Sequence, residues 1–125
     1  MRIRFAYTAL QVRNLDESER FYREVLGMSM VLRKPVEETD GEMCVLRSGR
    51  NTLELNWYRS AVVRRGSTLD HLAFEVETLP GFRRLAKELQ SKGIRIHEYL
   101  ETRSWERFFV EDPDGNWVEV YARKK

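Results

Sequence analysis

The stretch "YTALQVRNLDESERFYREVLG" (7–27) has a counterpart of the same design in "HLAFEVETLPGFRRLAKELQSKG" (71–93). Each begins with alternating apolar and polar residues, passes through a turn, and then shows apolar residues at helical spacing before a glycine. A second pair, "MCVLRSGRNTLEL" (43–55) and "FFVEDPDGNWVEV" (108–120), repeats the order strand, turn, strand. The register of the repeat holds to within one residue, which indicates an internal duplication.

Each half of the chain predicts the element order βαβββ. The expected strands lie near 4–12, 29–34, 41–48 and 52–58, and then near 69–76, 94–98, 105–111 and 116–122. Asp16, with Glu19 three residues later, is the expected N-cap of the first helix, and Thr78 that of the second. One helix covers only one face of a four-stranded sheet, so the two halves are expected to share the other face. The sequence therefore predicts one α+β domain over 1–125, with βαβββ modules at 1–58 and 68–125.

Composition excludes several classes of protein. The 22 basic and 20 acidic residues nearly cancel, which disfavours nucleic acid as a partner, and the basic run at 59–67 is interpreted as a solvent-exposed linker. No apolar stretch approaches the roughly 20 residues of a membrane span, and "MRIRFAY" (1–7) is not a signal peptide. The single Cys44 fits a reducing compartment. We therefore expect a cytoplasmic protein without nucleic-acid or membrane partners.

The face of each sheet that points away from its helix is predicted to be polar. Strand alternation places several glutamates, hydroxyls, amides and a histidine there: Tyr7, Gln11, Glu54, Asn56, Tyr58, His71, Glu75, Glu119 and Tyr121. Burying such groups without partners is costly, so this pattern indicates a polar cleft rather than a packing surface. Tyr7 is equivalent to His71 in the repeat, and Glu54 to Glu119. One imidazole and two carboxylates suit a divalent cation, which makes Glu54, His71 and Glu119 the candidate metal ligands.

The sequence resembles the vicinal oxygen chelate superfamily, which includes glyoxalase I, extradiol dioxygenases and bleomycin-resistance proteins. The resemblance is carried by "LQVRNLDESERFYREVLGM" (10–28), "NTLEL" (51–55), "DHLAFEV" (70–76) and "FFVEDPDGNWVEVY" (108–121). It implies that the two modules form an incomplete barrel with a shared cleft. It also implies a homodimer at this chain length, with each cleft formed either within one chain or across two.

The family's metal-ligand positions correspond to Tyr7, Glu54, His71 and Glu119, and the resemblance implies one divalent ion such as nickel, zinc, manganese or cobalt. Tyr7 departs from the family pattern, since a neutral phenol is a poor ligand for such an ion. Three interpretations of Tyr7 remain open. The site has three protein ligands and an extra water, or Tyr7 donates a hydrogen bond to a substrate oxygen, or the metal has been lost.

The resemblance implies a glyoxalase-like lyase or isomerase in which Glu54 or Glu119 moves a proton on a small oxygen-bearing substrate. Glyoxalase I enzymes hold glutathione with an arginine and an asparagine at positions that Gln11 and Tyr58 occupy here, which disfavours a glutathione substrate. Ring-cleaving dioxygenases are disfavoured by Tyr7, because they need a second histidine there. The alternative is a metal-free ligand-binding protein of the bleomycin-resistance type.

Five residues are candidates for substrate binding: Gln11, Asn56, Tyr58, Arg107 and Tyr121. Arg107 could face inward beside Phe109 and hold an anionic substrate, or it could lie on the surface. The other histidine, His97, is predicted to face solvent, because alternation places it with Arg95 and Tyr99.

Overall fold

The computed structural model describes residues 2–3, 5–36, 39–60 and 69–125. Most of the basic run at 59–67, and the first residue of the predicted second module, lie outside these ranges. The described chain forms two compact units, one containing the first four strands and the other the last four. Neither helix in the described ranges is long and apolar enough to cross a membrane.

The first unit is a mixed four-stranded sheet with one helix. Its elements are β1 (Thr8–Gln11), α1 (Leu15–Arg20, continued by a π-helical turn over Phe21–Val25), β2 (Ser29–Pro35), β3 (Gly41–Ser48) and β4 (Asn51–Tyr58). The strand order is β1-β4-β3-β2, in which β1 runs parallel to β4 and the other pairs are antiparallel. Gly27 ends the helical segment with a φ of 74°, a conformation that favours glycine.

The second unit repeats this topology. Its elements are β5 (Leu72–Glu75), α2 (Leu79–Ser91), β6 (His97–Glu101), β7 (Trp105–Glu111) and β8 (Trp117–Arg123). The strand order is β5-β8-β7-β6, and β5 is parallel to β8 just as β1 is parallel to β4. Thr78 caps α2 as predicted, since its hydroxyl oxygen accepts a hydrogen bond from the backbone N–H of Gly81 at 3.1 Å. The α+β fold of two βαβββ modules is confirmed.

Two local predictions are wrong. The first helix is capped by Asn14 and not by Asp16: the Asn14 side chain accepts from the backbone N–H of Glu17 at 3.0 Å. Asn14 has extended backbone angles and the helix begins at Leu15, so Asp16 already lies in the first turn. The strand expected near 94–98 begins only at His97, because the backbone leaving α2 turns at Ile94, whose N–H donates to the Leu89 carbonyl.

Each core lies between a helix and one face of its own sheet. The first core contains Val12, Leu15, Tyr22, Met28, Cys44, Leu46, Leu53 and Leu55, and the second contains Phe82, Ala86, Leu89, Phe108, Val110, Val118, Val120 and Ala122. Strand alternation then directs the intervening side chains of β4, β7 and β8 to the opposite face of each sheet. Those opposite faces carry the candidate site residues of each unit.

Candidate metal and substrate site

The polar face of the first sheet carries four of the candidate residues. They lie on β1 and β4 and are Gln11, Glu54, Asn56 and Tyr58. Gln11 pairs with Asn56 in the parallel ladder, which places their side chains on the same face. Glu54 is partly buried, and within the described ranges it makes no hydrogen bond or ion pair. With respect to the described residues, its carboxylate is therefore available for an external partner.

Two tyrosines border this face differently. The Tyr58 ring lies across Gly41, its partner in the β3–β4 ladder. A Cβ at Gly41 would come within 2.5 Å of that ring, so glycine is required for the ring to lie there. Tyr7 precedes β1, and 54% of it is exposed. No strand pairing fixes Tyr7, and its role remains a prediction.

In the second unit, two of the predicted ligands lie close together. His71 precedes β5, and its Nε2 atom is 3.7 Å from Oε1 of Glu119 on β8. The other ring nitrogen, Nδ1, is 2.6 Å from Oδ2 of Asp70. The His71 ring also stands edge-on to Phe109, with ring centroids 5.5 Å apart. The sheet thus brings His71 and Glu119 together, and Asp70 holds the ring from the other side.

Arg107 lies on the same face of the second sheet, between β6 and β8. Its Nε is 3.7 Å from Oε2 of Glu119, so this carboxylate faces His71 with one oxygen and Arg107 with the other. The guanidinium carbon lies 4.7 Å from the centroid of the Phe109 ring and 5.7 Å from that of Trp105. The Arg107 side chain is only 19% exposed. The sequence left open whether Arg107 faces inward or lies on the surface, and the structure shows that it faces inward.

Tyr121 is paired with Arg107 in the β7–β8 ladder and shares its face. Its hydroxyl donates a hydrogen bond of 3.4 Å to Oε1 of Glu75, and Arg123 approaches the other oxygen of that carboxylate at 3.4 Å. Glu75 is thereby occupied by two neighbours. It orients the Tyr121 hydroxyl at the edge of the face.

His97 does not face solvent, which corrects the prediction. The β6–β7 register shifts between His97 and Leu100, and Glu98 has a φ of 49°, so strand alternation is interrupted there. His97 consequently packs against Trp117, at 5.1 Å between ring centroids, on the polar face. Tyr99 instead stacks on Phe108 at the helix side of the sheet, with 46% of the residue exposed.

Sequence reasoning placed Phe109 beside Arg107 but did not assign the other two rings of this face, Trp105 and Trp117, to the site. Trp105, Phe109 and Trp117 occupy alternate positions of β7 and β8. Strand alternation would have located them, because it places Trp105 and Phe109 on the face of Arg107 and Trp117 on the face of Glu119. The bulge at Glu98 left no comparable signal, because a positive φ at a glutamate follows from no local pattern.

The donor atoms of the second unit fit a divalent metal ion. Metal bonds to imidazole nitrogen and carboxylate oxygen are about 2.0–2.2 Å long, so two donors 3.7 Å apart can both reach one ion. The Asp70–His71 hydrogen bond matches the carboxylate partner that metal-bound histidines usually have, and it directs the Nε2 lone pair toward Glu119. Within the described residues, no three His, Cys, Asp or Glu side chains are grouped as a complete metal site. The described part of the second unit thus brings together two of the three predicted ligands.

A comparison of the sequence with family models identifies the class of protein to which this fold and this polar face belong. The chain belongs to the Glyoxalase/Bleomycin resistance protein/Dioxygenase superfamily, whose model matches residues 4–120. The resemblance deduced from the sequence is confirmed.

Several relatives are enzymes by name. The chain is 30% identical to the lactoylglutathione lyase of Neisseria meningitidis serogroup A, over 98% of this chain and 92% of that protein. It is 26% identical to a probable trivalent organoarsenical cleaving enzyme of Bacillus subtilis, over 98% of this chain and 82% of that one. Among solved structures, the trypanothione-dependent glyoxalase I of Leishmania major has a TM-score of 0.78 and is 27% identical, covering 95% of this chain and 86% of that one.

Proposed function

We propose that the protein is a glyoxalase-like lyase or isomerase that uses one divalent ion, bound by Glu54, His71 and Glu119. The observation that carries this proposal is His71, whose Nε2 faces Glu119 at 3.7 Å while Asp70 holds Nδ1. A histidine fixed in this way is ready to bind a cation through Nε2. The donor set suits nickel, zinc, manganese or cobalt.

We assign different roles to the two glutamates. Glu119 lies between His71 and Arg107, which hold it in place as a ligand. Glu54 makes no hydrogen bond or ion pair within the described ranges, so its carboxylate is the one able to take and return a proton. A divalent ion, when bound, supplies positive charge that stabilises negative charge developing on a substrate oxygen.

The reaction we propose is an internal proton transfer on a substrate with oxygens on adjacent carbons. Glu54 removes the proton from the carbon that bears sulfur in a hemithioacetal and returns it to the neighbouring carbon, so no oxidant or reductant is needed. Gln11, Asn56, Tyr58 and Tyr121 contribute hydrogen-bonding groups for the substrate, and Tyr7 acts as a phenol donor to a substrate oxygen. Gln11 and Tyr58 favour a thiol carrier other than glutathione.

Two further parts of the proposal concern the whole molecule. The enzyme acts as a cytoplasmic homodimer on a small molecule; the family resemblance at this chain length supports the dimer, and the single buried cysteine supports a reducing compartment. The competing function is metal-free ligand binding in the same cleft. Metal-dependent turnover distinguishes the two functions.

The test is turnover of hemithioacetals of methylglyoxal, formed with 2-mercaptoethanol or glutathione, by protein loaded with nickel or zinc. Glu54→Gln is expected to lower kcat by about 100-fold or more while the ion still binds at saturation, because removal of a general base costs this much. Glu119→Gln is expected to lose the ion itself. The matched control is Glu24→Gln, at an exposed carboxylate of the π-helical turn, which should retain full activity. Metal-loaded protein that turns over none of these compounds, or a fully active Glu54→Gln variant, would contradict the proposal.

A further inference from the structure

Arg107 is positioned unlike a surface arginine. It lies in the middle of β7, and the side chain follows the polar face between the rings of Trp105 and Phe109. Aromatic faces stabilise a guanidinium by cation–π attraction and also displace the water that would otherwise solvate it. The protein therefore holds a permanent positive charge in a fixed and largely dehydrated position.

The charge on Arg107 is only partly compensated. Within the described part of the chain, its one ion-pair contact is with Glu119, and the 3.7 Å between Nε and Oε2 is too long for a hydrogen bond. The Nη1 atom is buried and has no hydrogen-bond partner. Among the described residues it is the one buried side-chain nitrogen or oxygen in this condition. A buried donor without a partner is costly, and folded proteins rarely tolerate one without a reason.

We propose that Arg107 binds a carboxylate of the substrate through its guanidinium, so that the preferred substrates are small oxo- or hydroxycarboxylates or their thiol adducts. A guanidinium presents parallel N–H groups that match the two oxygens of a carboxylate, whereas an ammonium offers only a point charge. The flanking rings exclude water, which strengthens this attraction.

The neighbours of Arg107 specify which part of the substrate carries the carboxylate. Glu119 faces Arg107 with one oxygen and His71 with the other, so the guanidinium lies directly beside a proposed metal ligand. A carboxylate bound there belongs to the reacting fragment and not to the distant end of a thiol carrier. This inference rests on the proposed function only for the position of the reacting atoms.

The test compares two probes of the same shape that differ in charge, benzoate and benzamide, titrated into metal-free protein and followed by NMR. Wild type is expected to bind benzoate at least tenfold more tightly than benzamide. In Arg107→Met this preference should fall to within about twofold, and Arg107→Lys should retain only part of it. The matched control is Arg84→Met, an exposed arginine on α2, which should keep the wild-type preference.

Each other outcome overturns the inference. Equal binding of the two probes, no detectable binding of either, or a preference that persists in Arg107→Met would exclude Arg107 as a carboxylate site. Displacement of benzoate by equimolar sulfate would show that Arg107 binds anions in general and is not a specific carboxylate site. If Arg107→Met does not fold, Arg107→Lys alone decides the question. A preference of Arg107→Lys for benzoate equal to that of wild type would contradict the inference, because lysine lacks the paired N–H groups that the carboxylate is proposed to need.

The inference and the proposed function fail separately. Benzoate selectivity is measured without metal, so it survives if the protein proves to be a metal-free binding protein. The converse result is a wild type that shows no benzoate selectivity while Arg107→Met turns over neutral hemithioacetals at the wild-type rate. That pair of results would support the proposed enzyme and exclude the carboxylate site at Arg107.

Discussion

His71 has a carboxylate on each side of its ring, and the two have different roles. Asp70 is almost fully exposed and bonds Nδ1 at 2.6 Å, whereas Glu119 is mostly buried and faces Nε2 at 3.7 Å. The shorter contact fixes the tautomer and the orientation of the ring. The longer one leaves room between the two donor atoms for an ion.

Replacing Asp70 by alanine tests this division of roles. Loss of the carboxylate partner of a metal-bound histidine typically lowers metal affinity 10- to 100-fold, so Asp70→Ala should weaken zinc binding by about this factor. Competition titration with a chromogenic chelator measures it. The control, Glu77→Ala, removes another exposed carboxylate of the second unit and should bind zinc as wild type does. Unchanged zinc affinity in Asp70→Ala would show that the 2.6 Å contact has no part in metal binding.

At the residue scale, the sequence predicted site residues that occupy equivalent positions in the two halves, but it could not predict contacts that depend on side-chain positions. Repeat symmetry singled out His71 and Glu119, and the structure brings these two together. The partners Asp70 and Arg107 could not be assigned, because a neighbour along the chain and a neighbour across a ladder look alike before side-chain positions are known. His97 was misplaced because one strained residue, Glu98, shifts the alternation of β6.

At the element scale, each unit ties its helix to its sheet with an ion cluster. In the first unit Arg33 on β2 bonds Glu42 on β3 at 2.8 and 3.2 Å and also reaches Asp16 on α1 at 2.7 Å. In the second unit the polarity is reversed, since Arg83 on α2 bonds the buried Glu106 of β7 at 3.0 and 3.2 Å. Both clusters position the helix over the core face and leave the opposite face free for the site.

The first cluster predicts how stability changes in acid. The hydrogen bond from Arg33 lowers the pKa of Glu42 below its usual value of 4.5. A carboxyl whose pKa is lower in the folded state stabilises the fold above its unfolded pKa, and this stabilisation is lost as the pH falls through the folded pKa. The melting temperature should therefore decrease below about pH 4.5 more steeply in wild type than in Glu42→Gln.

Differential scanning calorimetry between pH 6 and 3 measures this difference. Glu17→Gln, at an exposed carboxylate of the first turn of α1, is the matched control and should follow the wild-type curve. Parallel curves for wild type and Glu42→Gln would contradict the account, because they would mean that the Arg33–Glu42 pair adds no stability that depends on pH.

The elements themselves were largely predictable, because their signals are local. The β1, β4, β7 and β8 strands follow from apolar alternation, and α2 from its cap and apolar stripe. The π-helical turn at Phe21–Val25 was not predictable, since its hydrogen bonds differ from those of an α-helix without any difference in residue type. The cap at Asn14 was missed because Asp16 offers the same chemistry two residues later.

At the scale of the whole molecule, the duplication explains why a chain of 125 residues can present so polar a surface. Each unit builds its own core between its helix and one face of its sheet. The remaining faces carry charge and aromatic rings, an arrangement that suits binding a small polar molecule. Superfamily membership agrees with this division between fold and site.

Native mass spectrometry of the purified protein, beside His71→Ala and Glu119→Ala, tests the central claim most directly. The account predicts a homodimer with one divalent ion per chain, and both variants should lose the ion while remaining folded by circular dichroism. A wild-type protein that stays metal-free after incubation with nickel, zinc, manganese and cobalt would contradict the metal-dependent enzyme. The polar faces of the sheets would then bind a ligand without catalysis.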